Sequence, residues 1–149
     1  FYMHGALNIY ALGNDTTKLT SRIPLLQAIQ YAEYNARFPV LISEGHSDRK
    51  IFEIERNDYL KRCFASFSAK QGNLFTFGFG FGPSDQHIVK SILTSSYHTC
   101  YVSVFSGLSE RDKTDFCGRV VNLLSQPRPN KLSALSVFFY ESQSAAVWR

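Results

Sequence analysis

The sequence predicts an α/β fold with a mainly parallel sheet and helices on both faces. Three observations carry this. Short apolar runs alternate with amphipathic segments along most of the chain. The inner runs, such as Val-Leu-Ile at 40–42 and the stretch at 100–105, are nearly continuous in apolar residues, as in strands covered on both faces. Turn signals rich in Gly, Pro, Ser and Asp separate the runs.

Taken in order, "FYM" and "LNIYAL" read as short strands flanking a His-Gly pair, and "GNDTTK" as a turn. "IPLLQAIQYAEYNARF" reads as a helix with Pro24 near its start and Leu25, Leu26, Ile29, Ala32 and Ala36 on one stripe. "PVLIS" is a strand. "SDRKIFEIE" and "NDYLKRCFASFSA" are helices with Ser47 and Asn57 as caps. "NLFTFGF" is a strand, "GFGPSD" a loop, and "SDQHIVKSILTSS" a helix opening at a Ser or Asp cap. "TCYVSVFS" is a strand. "SERDKTDFCGRVVNLLSQ" is a helix capped by Ser109, with Phe116, Val120, Leu123 and Leu124 inward. After the loop "QPRPNK" come a strand, "LSALSVFFYES", and a terminal helix or turn, "QSAAVWR". No repeat, low-complexity tract or linker divides the chain, so residues 1–149 read as one domain or part of one.

The chain has 149 residues, enough for a real core. Its apolar share of 44% and charged share of 19% are ordinary for a folded protein. Aromatics reach 15%, which suits a well-filled interior or a large partner surface. The net charge of +4 is spread without a dense basic run, which argues against nucleic acid as a partner. No apolar run has the length of a membrane span, so no membrane partner is expected. Cys63, Cys100 and Cys117 form no CxxC pair and read as reduced thiols of a cytoplasmic protein. The opening "FYMHGAL" has neither an initiator Met nor a signal-peptide layout, and the expectation is the carboxyl-terminal part of a longer chain.

Three places could carry chemistry. The first is Glu44-Gly45 with Asp48, between a strand and a helix. This looks like the start of the Toprim magnesium site of topoisomerases and primases. That chemistry needs a later Asp-x-Asp to complete metal coordination, and neither "FGFGFGPSD" nor "SVFSGLSERD" supplies one. The alternative is that Glu44 and Asp48 face the helix amino terminus. The second is His4-Gly5, either an imidazole in a tight turn or a ligand group beside a glycine that permits close approach. The third is "FTFGFGFGPSDQHIV", where a strand runs into Gly78, Gly80 and Gly82 before a helix opens at Ser84-Asp85. The crevice at strand carboxyl ends is where open parallel sheets hold ligands, and free amides at a helix start favour phosphate or ribose oxygens. The spacing does not fit G-x-G-x-x-G, and a solvated turn capped by Ser84 or Asp85 explains it equally well. His87 lies two residues after Asp85 and would not share a helical face with it, so no metal site is expected there.

A His-Gly after a strand, then a strand ending in Gly-x-Gly-x-x-x-x-Asp-x-His-Ile, resembles the carboxyl-terminal half of sirtuin-like domains. The match is closest to an uncharacterised bacterial family of that clan, through "FYMHGAL", "RIPL", "FPVLISEG", "DYL", "FGFGFGPSDQHI" and "FYESQSAAVW". The resemblance spans nearly the whole chain and is specific in the order of its blocks rather than in any one of them. It implies a three-layer Rossmann-like arrangement, NAD as ligand or substrate, and a part in NAD hydrolysis with release of nicotinamide. It gives His4 the catalytic role at the ribose hydroxyls, and it places Gly5, Gly78, Gly80, Ser84 and Asp85 near the cofactor. A base beside a ribose hydroxyl would stabilise the oxocarbenium-like ribose left by nicotinamide. By fold-level analogy it also suggests bacterial antiviral defence. The family's glycine-rich phosphate loop and its asparagine lie before the histidine and are not in this sequence. A zinc-binding cysteine quartet is also missing, which disfavours the deacetylase subgroup. The runner-up reading is a non-catalytic nucleotide- or protein-binding module, with the Toprim-like nuclease behind it. An oligomer is left open.

Overall fold

The computed structural model describes residues 2–12, 15–18, 23–129 and 132–147. Phe1 of the expected first strand, Gly13 and Asn14 of the expected turn, Arg22 of "RIPL", and Trp148 and Arg149 of the closing block lie outside the described residues. The chain forms two compact units, Phe1–Phe67 and Ser68–Arg149.

In the first unit, β1 (Gly5–Leu12) is the centre of a three-stranded sheet, with β2 (Asp15–Lys18) on one side and β3 (Pro39–Leu41) on the other. Both pairings are antiparallel. Two expectations change here. Tyr2–His4 is not a strand but a turn closed by the Gly5 amide on the Tyr2 carbonyl at 3.0 Å. The "DTTK" of the expected turn is β2, because Thr16 and Thr17 pair with Ala11 and Tyr10 and continue the ladder. Gly5 has φ +76, and a Cβ there would lie 1.8 Å from the Val40 carbonyl oxygen, so only glycine lets β1 meet β3.

Helix α1 (Leu25–Tyr34) packs on β1 through Ala28 and Ala32, whose small side chains allow close approach. The expected stripe was different: Leu25 and Leu26 are exposed, and Ala36 lies beyond the helix in a left-handed turn, φ 53. The helices α2 (Ser47–Glu55) and α3 (Asp58–Ser68) follow. Asn57 caps α3, its Oδ1 accepting from the Tyr59 and Leu60 amides at 3.1 Å each. Ser47 is the first residue of α2 rather than its cap, which is His46. Ile9, Tyr10, Ile54, Leu60 and Cys63 are buried. The Tyr10 hydroxyl is buried without a hydrogen-bond partner among the described residues, and burial foremost, then Glu33, pushes its pKa up.

The second unit is the parallel, Rossmann-like one. Its strands β4 (Gln71–Thr76), β5 (Ser96–Val104) and β6 (Ser136–Glu141) lie in chain order, all parallel. α4 (Gln86–Thr94) joins β4 to β5, and α5 (Glu110–Leu124) joins β5 to β6. The two helices touch each other and both touch β5. They therefore share one face, as right-handed crossovers between consecutive neighbours require. Cys100, Val102 and Val104 point to that face and are buried with Ile88, Val89, Ile92, Val120 and Leu124. The expected Ser109 cap of α5 is present, its Oγ accepting from the Asp112 amide. Arg128 closes the end of the unit where β5 begins. Its guanidinium donates to the carbonyls of Leu93, Ser95 and Ser133, tying the α4–β5 turn to the loop before β6.

On the opposite face Phe75, Tyr101 and Phe138 stand in register across the three strands. Their rings stack, with centroids 4.5 Å apart for Phe75–Tyr101 and 5.4 Å for Tyr101–Phe138.

Candidate functional site

All three parallel strands end on one edge, and the residues just past them converge there. β4 ends at Thr76 and runs into Phe77, Gly78, Phe79 and Gly80. β5 ends at Val104 and is followed by Phe105. β6 ends at Glu141 and turns into a 3₁₀ segment, Ser142–Ala145. Between them lies a cavity of about 560 Å³, within the usual range for small-molecule pockets. Phe77, Phe79, Phe105 and Phe116 wall it, and Ser103, Ser142 and Gln143 add polar groups.

Hydrogen bonds hold this rim. The Gly78 amide donates to Ser103 Oγ at 3.0 Å, fixing the start of the glycine loop to β5. Tyr140 Oη donates to the Thr76 carbonyl at 2.8 Å, joining the end of β4 to β6. Ser106 Oγ and Ser142 Oγ lie 3.2 Å apart, and the Gln143 amide donates to Ser106 Oγ at 3.4 Å. The loop itself is anchored by Phe81, only 1% exposed and held at φ 50, a left-handed conformation unusual for a bulky residue. Its ring meets Phe79 at 4.5 Å and Phe116 at 6.4 Å, so it backs two of the cavity walls.

Among the described residues, the cavity lining carries no charged side chain. Behind the wall, the Arg119 guanidinium sits 5.5 Å from the Phe116 ring centroid. Beyond the rim, Lys113 bridges Glu110 and Glu141 at 3.0 Å each. The hydrogen bond from Lys113 holds the Glu141 carboxyl below its ordinary range.

The residues expected to bind a ligand fall as follows. Gly78 and Gly80 line the cavity. Ser84 and Asp85 do not line it; they form the 3₁₀ turn Pro83–Asp85 ahead of α4, with Ser84 Oγ 3.4 Å from Asp85 Oδ2. That turn also corrects the helical-face argument about His87. Asp85 lies outside α4, and its carboxylate comes within 4.8 Å of a ring nitrogen of His87, which is buried. His4 and Gly5 belong to the first unit. His4 is half-buried in the turn before β1, and its carbonyl accepts from the Ile42 amide at 2.8 Å.

A family model described as "Domain of unknown function (DUF4917)" matches residues 1–148. The chain belongs to this family. No curated protein and no solved structure matches the sequence. Both compact units fall within the family match, so the antiparallel first unit and the parallel second unit are both parts of the family's domain.

Glu44 and Gly45 form a bend between β3 and α2, with Gly45 at φ +115. Glu44 lines a shallow surface pocket of about 420 Å³ with Arg49 and Glu53, and those two pair at 2.9 Å. Glu53 is thus already neutralised by a cation one helical turn away. Asp48 sits in the first turn of α2, where its charge complements the helix dipole.

Phe105, Phe116, Ser142 and Gln143 were not singled out as ligand residues from the sequence. One signal could have found Phe105, Ser142 and Gln143: in a parallel sheet the residues following every strand end share an edge. Phe116 read only as a core position of α5.

Proposed function

We propose that the second unit binds a nucleotide, NAD foremost, in the crevice at the carboxyl ends of β4, β5 and β6. The observation that carries this reading is the crevice itself, walled by Phe77, Phe79, Phe105 and Phe116 and bordered by Gly78 and Gly80. Flat apolar walls suit a nucleobase, which stacks on aromatic rings at about 1–3 kcal/mol per base. The glycines support the reading from the other side. A Cβ at Gly80 would meet no protein atom within 4 Å, and its backbone has no left-handed φ. Neither packing nor conformation demands glycine there, which leaves room for close approach by a ligand.

The uncharged lining supports a reading in which the crevice takes the base and ribose of the ligand rather than its phosphates. On this reading NAD is also substrate, and the resemblance gives His4 the part of the base that acts on the ribose hydroxyl as nicotinamide leaves. The resemblance is also what supports ligand roles for Gly5, Ser84 and Asp85; Ser84 and Asp85 lie outside the lining of the crevice itself.

Calorimetric titration with NAD tests the binding step. The chain should bind NAD, and Phe105→Ala, which removes an exposed wall residue, should weaken binding without lowering Tm. Absence of heat and of thermal stabilisation with NAD, AMP and adenosine alike would sink the reading. Nicotinamide release in the presence of NAD tests the second step. His4→Ala should abolish it while NAD binding in the crevice persists, and unchanged release would remove His4 from the mechanism.

A further inference from the structure

We infer that the outward face of α1 is a homodimer interface, laid antiparallel against α1 of a second copy of this chain. The helix reverses the usual arrangement of a surface helix. It packs inward with Ala28 and Ala32 and leaves its large apolar side chains outside. At about 100° per residue, Leu26, Gln27, Gln30, Tyr31 and Tyr34 fall within one arc of about 140°. All five are exposed, Leu26 to 73%, Tyr31 to 70% and Tyr34 to 90%. Ile23, 48% exposed, precedes them at the mouth of the helix. Glu33, the one charged residue of α1, lies outside the arc. A contiguous apolar patch of this kind marks an interaction site, and a surface rich in Tyr and free of charge has the composition of an interface centre.

The order of the residues points to a second copy as the occupant. Ile23, Leu26, Gln27, Gln30, Tyr31 and Tyr34 are spaced symmetrically about the midpoint between Ala28 and Ile29. A two-fold axis there, perpendicular to the helix, opposes Ile23 to Tyr34, Leu26 to Tyr31 and Gln27 to Gln30 across the two copies. Each tyrosine ring then meets an aliphatic side chain. Each central carboxamide, with a donor and an acceptor, meets its like. No like charges are brought together within the arc. A different partner would not need this mirror order. The area is sufficient as well. Ile23, Leu26, Tyr31 and Tyr34 leave about 500 Å² uncovered per chain, so a facing pair buries about 1,000 Å² before the glutamines are counted, the lower bound for a specific interface.

Sedimentation velocity of the whole chain over a range of concentrations tests this. The wild type should sediment with twice the mass of one chain. Tyr34→Glu changes a side chain that already faces solvent, and it should sediment as one chain while keeping the wild-type circular-dichroism spectrum. Leu25→Glu, on the same helix but outside the arc, should remain dimeric. Leu26→Lys and Tyr31→Glu should each be monomeric, and mixing the two should restore a dimer, because only the mixture sets opposite charges across the axis. A wild type that keeps the mass of one chain up to about 100 μM would overturn the inference. So would a dimer left intact by both Tyr34→Glu and Leu26→Lys, since its contact would lie elsewhere. A mixture that stays monomeric would overturn the antiparallel register.

Discussion

Phe81 offers a test in which the usual order of two substitutions reverses. It is buried in the second unit, held at φ 50, and in contact with Phe79 and Phe116. Phe81→Ala removes a buried ring and should cost about 3–5 kcal/mol. The alanine keeps a Cβ in the left-handed region, where an L-residue carries about 1–2 kcal/mol of strain. Phe81→Gly loses the same ring contacts but sheds that strain. Against this stands the greater chain entropy of glycine in the unfolded state, about 0.5–1 kcal/mol. The net expectation is that the glycine variant is more stable than the alanine variant by about 0.5–1 kcal/mol, although at ordinary positions the alanine variant is the more stable. Urea unfolding followed by circular dichroism, with a common slope for the variants, resolves a difference of this size. A glycine variant less stable than the alanine one would refute the strained-anchor account. Because Phe81 backs two walls of the crevice, both variants should also bind NAD more weakly than Phe105→Leu, which keeps an apolar wall.

Arg128→Ala should cost about 2–3 kcal/mol, since it removes charge-assisted bonds to three backbone carbonyls; Arg128→Lys should recover less than half of this, because one ammonium cannot reproduce the fork, and equal Tm for Arg128→Ala and the wild type would show the clamp idle. Glu141 has its pKa lowered chiefly by the hydrogen bond from Lys113. A depressed carboxylate contributes stability above its unfolded pKa and loses it as pH falls through the folded value. The stability gap between wild type and Glu141→Gln should therefore be present at pH 7 and close in acid, below about pH 4; a gap independent of pH would remove the pair from the account. Burial pushes the Cys100 thiol up to about 11, so iodoacetamide at pH 8 should leave Cys100 unmodified in the folded protein and label it in urea; rapid labelling of native Cys100 would contradict its buried placement on the helix-covered face.

The sequence was most legible where one interaction decides the outcome. Asn57 and Ser109 cap α3 and α5 as their residue types suggest, because a cap is a local bond to an amide two or three residues away. The three parallel strands were legible from their apolar runs, and the glycine loop from its composition. The first unit was less so. Thr16 and Thr17 read as a turn because their strand exists only through pairing with Ala11 and Tyr10, a tertiary event. The helix α1 buries Ala28 and Ala32 rather than the leucines, since close approach to β1 favours small side chains over the most apolar ones. The crevice was half legible. Gly78 and Gly80 stood out by type, whereas Phe105 and Gln143 acquire their meaning only when β5 and β6 end beside β4.

The most direct measurement is a titration of the intact chain with NAD, run beside Phe105→Ala. The account predicts saturable binding by the wild type, weakened in the variant at unchanged Tm. No binding by the wild type, or equal binding by a Phe105→Ala protein, would contradict the assignment of the crevice as the nucleotide site.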